Sequence, residues 1–219
     1  MTGPLYAIYG AGGHGREVMP IAREQLEQQG VPREHLVFID DDSRNKPING
    51  QRVLTYEAFL GADADERFAV IAIADGKIRE SLALRCKSDR VEAWLVRAAN
   101  SLVMDEVVLG EGAILSPFVT LTSNIRIGCH FHANVYSYVA HDCVIGDFVT
   151  FGPSVRCSGN VVIEDHVYLG TSAIVRQGRP GAPLVIGKGA VVGMGAVVTR
   201  SVKAGVTVVG NPARPMVKK

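Results

Sequence analysis

The chain is 219 residues long and 47% hydrophobic, enough for a packed core in one large or two small domains and too apolar for a disordered segment. Lys and Arg number 23 against 22 Asp and Glu, a formal charge of +1, which excludes a broad basic field for nucleic acid or an anionic membrane. An anionic ligand must therefore be met by local groups.

Residues 1–98 read as alternating strands and helices. Leu5–Tyr9 predicts a buried strand, followed by the loop Gly10-Ala-Gly-Gly-His-Gly15 and a helix from about Arg16 to Gln29. Leu36–Ile39 predicts a second strand, ending in Asp40, Asp41 and Asp42. Phe68–Ile73 predicts a third, ending at Ala74-Asp75-Gly76 ahead of a helix from about Ile78 to Lys87. The sum is a small Rossmann-like parallel α/β sheet with its ligand edge at the carboxyl ends of the strands. Gly10, Gly12 and Gly15 satisfy G-x-G-x-x-G, and Asp40 lies twenty-five positions beyond Gly15. Glycines there admit a phosphate close to the backbone, and the following helix offers free N–H groups at its positive end. A dinucleotide such as NAD and a tight structural turn fit the same six residues. Against NAD, the rest of the chain leaves little length for a conventional substrate domain.

From Val103 an apolar or small residue returns every six positions to Val175, thirteen in register, including Leu121, Val139, Ile145 and Cys157. A second series two residues earlier runs from Val107 to Ala173. Glycine often follows the first series, as at Gly110, Gly128, Gly146, Gly152 and Gly170, which predicts a tight corner there. A helix of period 3.6 cannot hold this register, and an ordinary β-sandwich has no reason to. One six-residue unit is a short strand plus a corner, and three make a triangular coil of eighteen residues, so residues 99–219 predict a parallel β-helix. The register breaks over 176–184, Arg176 to Leu184, and resumes at Ile186, Val192 and Val198, which predicts a loop ejected from the helix. Gly210-Asn-Pro-Ala-Arg-Pro215 cannot continue the coils and predicts a tail folded back over the last one; Lys218 and Lys219 close the chain. The pattern resembles the hexapeptide-repeat acyltransferases, and the resemblance implies that the coils wind left-handed.

Acyl transfer from a thioester needs a base near the acceptor, and neutral histidine is the usual one near pH 7. Of the six histidines, His14 lies in the glycine loop and His35 before a strand, where it reads as solvated; His130, His132 and His166 occupy outward repeat positions and read as surface residues. His141 is the candidate base, two positions after the inward Val139 and so at a coil corner, with Asp142 beside it to hold the imidazole or to cap the corner. Gly159 follows one coil on in the same column, and Gln177 one coil further. Gly159, Gly193 and Gly195 allow backbone approach, and Arg176, Arg179, Arg200, Arg214 and Lys188 are candidate partners for coenzyme phosphates.

Tyr9-Gly-Ala-Gly-Gly-His-Gly-Arg-Glu-Val18, Phe38-Ile-Asp-Asp-Asp42, Ala140-His-Asp-Cys-Val-Ile-Gly146, Gly193-Met-Gly-Ala-Val-Val198 and Gly210-Asn-Pro-Ala213 resemble the NeuD-type sialic acid O-acetyltransferase family, with its PglD-like N-acetyltransferases of nucleotide-linked 4-amino-4,6-dideoxy sugars. The resemblance implies a homotrimer, acetyl-CoA as donor between adjacent β-helices, and direct attack without an acyl-enzyme. It matches His141 to the base, Asp142 to its acidic neighbour, and Gly12, Gly13, His14, Asp40 and Asp41 to the nucleotide. Asp75, at the end of the third strand, joins them as a substrate-binding candidate. Thr150, a coenzyme-site candidate, stands where several relatives carry a second histidine nine residues after the base.

The expected activity is N-acetylation of a nucleotide-linked amino sugar for a bacterial surface glycan such as lipopolysaccharide. O-acetylation of sialic-acid-like sugars and a non-catalytic scaffold are the alternatives. Cys86, Cys129, Cys143 and Cys157 lack zinc spacing and read as reduced thiols, which implies a cytoplasmic protein without a metal. No run of about 18 apolar residues predicts membrane insertion, and the segment to Gly15 is wrongly flanked for a signal peptide.

Overall fold

The structure is a computed structural model in which residues 3–42 and 46–216 are described; Lys218 and Lys219 lie outside them. Two compact units form: one holds the residues up to Ala99 with Glu111–Ile114, the other Asn100–Gly110 and the chain from Leu115 on.

In the first unit, β1 (Leu5–Tyr9), β2 (Leu36–Ile39), β3 (Val53–Leu54), β4 (Arg67–Ile71) and β5 (Glu92–Ala93) pair in parallel in the order β3-β2-β1-β4-β5. Alternation along the strands supplies both faces. Ile8 and Phe38 pack with Val18, Met19 and Leu26 of α1 (Gly13–Gln28). Ala7, Tyr9 and Ile39 pack with Tyr56 and Phe59 of α2 (Tyr56–Leu60) and Cys86 of α3 (Gly76–Ser88). Helix α1 starts three residues earlier than its pattern suggests, inside the glycine motif, because Gly12 is its N-cap. Helix α3 starts at Gly76 because the Asp75 carboxylate accepts from Lys77 N at 2.9 Å and Ile78 N at 3.1 Å. The two-residue strands β3 and β5 are too short to leave a periodic signal.

In the second unit each short strand pairs in parallel with the one a full coil later, as in Tyr138↔Arg156, Arg126↔Val144 and Thr150↔Tyr168. Three stacked sheets result, and both apolar series point inward: Val139, Cys157 and Val175, and likewise Val149, Val155 and Val161, are fully buried. From Glu106 to Ser172 one residue in six is left-handed, eleven of them non-glycine with φ between 54° and 62°. That conformation costs an L-residue about 1–2 kcal/mol. It is offset at most of these corners by a hydrogen bond to the coil below: Asp142 N donates to Ser123 O at 3.1 Å, Asn160 N to His141 O at 3.0 Å, and His166 N to Asp147 O at 2.9 Å.

The left-handed residue falls three positions after the inward one, not directly after it. Gly110, Gly146 and Gly170 keep ordinary backbone angles and are small because the next coil rests on them: a Cβ at Gly110 would stand 2.5 Å from the carbonyl carbon of Gly128. A second correction concerns histidines. His132 is fully buried, paired with Thr150 one coil on, and His130 is buried with its ring stacked on Phe148 at 5.1 Å. Phe148 stacks in turn on His166 at 5.4 Å. The coil repeat sets rings 130, 148 and 166 above one another, so they cover each other, His130 being buried and Phe148 and His166 half-buried. His35 is also engaged: its Nδ1 donates to Pro4 O at 2.8 Å.

Beyond Ile163 the coil lengthens, because Ile163 pairs with Ile186. The extra residues form a small hairpin in which Arg179 and Ala182 exchange backbone hydrogen bonds of 3.1 and 2.9 Å around Gly181, at φ +72°. The tail folds back, Arg214–Pro215 pairing antiparallel with Val208–Val209.

Candidate functional site

His141 and Asp142 occupy a corner between Tyr138–Val139 and Val144–Ile145. The left-handed backbone of Asp142 turns its carboxylate onto the neighbouring ring: Asp142 Oδ2 lies 2.7 Å from His141 Nδ1. A carboxylate only accepts, so Nδ1 carries the proton and the Nε2 lone pair is left free as a base. Both side chains are about half exposed, at 50% and 49%, so they remain open to an incoming group. The ring lies over the α-carbon of Gly159, one coil on, where a Cβ would stand 2.6 Å from Cε1 and 2.7 Å from Nε2. His141, Asp142 and Gly159 are thus brought together on one edge.

The hairpin rises from the same edge. Gly178 N donates to Gly159 O at 3.0 Å and Leu184 N to Asn160 O at 3.2 Å, while a Cβ at Gly178 would meet Asn160 O at 2.0 Å. Above this neck is an open cavity of about 410 Å³ lined by Arg176, Arg179 and Arg200 among others. The other coenzyme-site candidates lie elsewhere on the prism. Thr150 is buried in the strand Thr150–Phe151, in the sheet of His132 and Tyr168. Gly193 and Gly195 flank the corner between Val191–Val192 and Val197–Val198, where Gly193 makes room for Val209 and Gly195 is left-handed at φ +66° with open space about it. Lys188 instead pairs with Asp165 at 3.0 Å.

In the first unit the glycines divide by role. Gly15 is required by packing, since a Cβ there would stand 1.9 Å from Gly10 O, and Gly10 is left-handed at φ +100°. Gly12 and Gly13 have ordinary angles and nothing within 4 Å of an added Cβ, so the fold itself does not demand glycine at either. That empty cradle at the start of α1 fits a phosphate approaching the backbone.

Three acidic candidates shape the rim. Asp40 Oδ2 accepts from Ala11 N at 3.0 Å, and its Oδ1 from Asp42 N at 3.1 Å. Asp41 accepts from Tyr56 N at 2.8 Å, and Asp75 caps α3. His14 sits in the first turn of α1, and burial pushes its imidazole below its ordinary pKa; Glu17 at 3.6 Å opposes this and the charge of Arg79 adds to it.

Sequence reasoning missed Arg79. It is fully buried, donates from Nη1 to Ile73 O at 2.6 Å and Ala74 O at 3.2 Å, and has its pKa pulled down to about 10 by burial. An arginine in a short charged helix reads as solvated, so nothing local marks it.

The family described as the PglD N-terminal domain matches residues 6–86. Over 212 residues, 97% of this chain and 96% of the other, the chain is 50% identical to GDP-perosamine N-acetyltransferase of Escherichia coli O157:H7. It belongs to the PglD-like sugar N-acetyltransferases. Among solved structures, WeeI from Acinetobacter baumannii AYE superposes with a TM-score of 0.95 at 53% identity, covering 97% of this chain and 100% of that one. A mutant of perosamine N-acetyltransferase from Caulobacter crescentus, in complex with CoA and GDP-perosamine, gives a TM-score of 0.86 at 25% identity, covering 98% and 97%. The family membership makes this chain an acetyltransferase and its coils a left-handed parallel β-helix. No helix among the described residues is long and apolar enough to cross a membrane.

Proposed function

We propose that the protein transfers the acetyl group of acetyl-CoA to the amino group of a GDP-linked 4-amino-4,6-dideoxy sugar of the perosamine type. The observation that carries this is the His141 edge: an imidazole with Asp142 on Nδ1, its Nε2 free, above the bare backbone of Gly159. The relatives' names supply the substrate class, and the open cradle at Gly12 and Gly13 supports a nucleotide diphosphate in the first unit.

In this reading the neutral amine attacks the thioester carbonyl and forms the C–N bond while His141 Nε2 takes its proton. Asp142 fixes the tautomer and stabilises the imidazolium. Collapse of the tetrahedral adduct breaks the C–S bond, and the leaving thiolate recovers the proton from His141. No acyl-enzyme forms. Residues 1–98 hold the sugar nucleotide, and residues 99–219 carry out the transfer. The active form is a homotrimer, a reading supported by the exposed apolar side chains Leu102, Met104, Phe118, Tyr136 and Val144 along the prism. The product feeds a bacterial surface glycan such as lipopolysaccharide and is made in the cytoplasm, where sugar nucleotides and acetyl-CoA occur together.

The test is thiol release from acetyl-CoA with GDP-perosamine, with other nucleotide-linked 4-amino sugars, and with sialic-acid-like hydroxyl acceptors. Turnover is expected with the GDP amino sugar and lost in His141→Ala. Turnover only on hydroxyl acceptors, or an undiminished His141→Ala protein, refutes the assignment.

A further inference from the structure

The two series that fill the prism are hydrocarbon except at Ser137, Cys143 and Cys157. Ser137 bonds away from the His141 corner, its Oγ donating to Gly152 O at 2.9 Å and accepting from Val155 N at 3.1 Å. Cys143 and Cys157 are buried at 1% and 0% exposure, and they stand one coil apart on the inside of the corner column whose outer side carries His141 and Gly159. Burial keeps both thiols from the substrates, so any part they play in the reaction is exerted through the backbone.

Cys143 Sγ donates to Ser158 O at 3.3 Å and lies 3.6 Å from His141 O, which also accepts from Asn160 N at 3.0 Å. One thiol thus touches the carbonyl of the base and a carbonyl one coil on. Cys157 Sγ reaches the same Ser158 oxygen at 3.7 Å, but from the adjacent residue, so through that bond it joins nothing across coils. The Ser158 carbonyl belongs to the planar peptide that ends at the Gly159 nitrogen. Its orientation therefore sets the Gly159 α-carbon, the atom beneath the His141 ring, where a Cβ would stand 2.6 Å from Cε1. A carbonyl turned to an apolar interior needs a donor, and a thiol supplies one in the volume of a small hydrophobe.

We propose that Cys143 is a positioning residue for acetyl transfer: from inside the prism its thiol holds the Ser158–Gly159 peptide and so fixes the surface on which the imidazole of His141 rests. The inference rests on the reading of His141 as the base and adds a residue which that reading does not require. A valine, common in the same interior series, fills the space but leaves the Ser158 carbonyl without this donor. The peptide is then free to tilt, and the ring moves with the α-carbon beneath it.

The experiment measures kcat and both KM values, with acetyl-CoA and GDP-perosamine, for Cys143→Val, Cys143→Ala, Cys143→Ser and Cys157→Val, with thermal melts to score the folded fraction. Cys143→Val and Cys143→Ala should lower kcat about tenfold with each KM within about twofold of wild type, because the ring is displaced by less than the 1 Å that costs a hundredfold. Serine keeps a donor, so Cys143→Ser should stay within about threefold of wild type, and Cys157→Val, which breaks no link across coils, within about twofold. Combined with Gly159→Ala, Cys143→Val should add little to the loss, since both act through the same ring position. Undiminished kcat per folded protein in Cys143→Val and Cys143→Ala, a serine variant as slow as alanine, an equal loss in Cys157→Val, or losses that multiply in the double variant each overturn the proposal while leaving the acetyl-transfer reading intact. Full turnover in His141→Ala, or none with any acceptor, counts against that reading instead. The His141 imidazole resonances then decide the positioning: they should shift in Cys143→Ala and return in Cys143→Ser, and unchanged resonances overturn it.

Discussion

Gly159→Ala displaces the candidate base without touching it. The added methyl would stand 2.6 Å from His141 Cε1, 2.7 Å from Nε2 and 3.0 Å from Nδ1. Non-bonded carbons settle at about 3.5–4.0 Å, so the ring must retreat by about 1 Å. The backbone at 159 is not left-handed, so alanine is not strained there. The ring is half exposed and free to swing outward, so the stability change should stay within about 0.5 kcal/mol. A misplacement of about 1 Å at the reacting centre costs on the order of a hundredfold in rate. Thiol release at saturating acetyl-CoA and GDP-perosamine should therefore show kcat down about a hundredfold, with an unshifted melting curve. If kcat stays within about threefold of wild type, the imidazole's position over residue 159 is irrelevant to turnover and the argument fails.

Asp142→Asn keeps a residue type that tolerates the left-handed corner but removes the charge facing Nδ1, so kcat should fall about ten- to a hundredfold with the melting temperature held; steady-state kinetics at pH 7 and thermal denaturation check both. Gly13→Ala meets nothing within 4 Å and lies in a helix, so it should stabilise by roughly 0.5–1 kcal/mol while raising KM for the sugar nucleotide; Gly15→Ala collides with Gly10 O and should destabilise strongly in a denaturant melt. Burial depresses the His14 pKa from 6.5, so the unfolded state binds more protons below that value and stability is lost as pH falls from about 6.5 through the folded pKa. His14→Gln should flatten the decline in melting temperature between pH 7 and pH 5, and an unchanged slope would show that another group carries it.

The fold was legible where the physics is periodic. Val139, Cys157 and Val175 announce the prism because every coil must fill the same interior, and Leu5–Tyr9 and Leu36–Ile39 announce buried strands because both faces are covered. The corner was misread by two positions because glycine signals small size and left-handed backbone alike. Gly110 and Gly170 are there for the first reason, while the second falls on Asp142, Asn160 and His166, residues a hexapeptide pattern leaves unmarked. His132 was misread because an outward position need not be a wet one.

The site was legible along a column and illegible across columns. A coil of eighteen residues sets Gly159 over His141 and raises the hairpin on the same edge, all by counting. Counting does not say which edge another copy will face. Thr150 sits in a different sheet from the strands flanking His141, and Gly195 turns a different corner, so nothing within one prism brings them to the imidazole. If they contact the coenzyme, they must do so from a neighbouring copy. The proposed homotrimer would then be part of the chemistry, and dilution to monomer should abolish turnover even though each chain keeps its own His141–Asp142 pair.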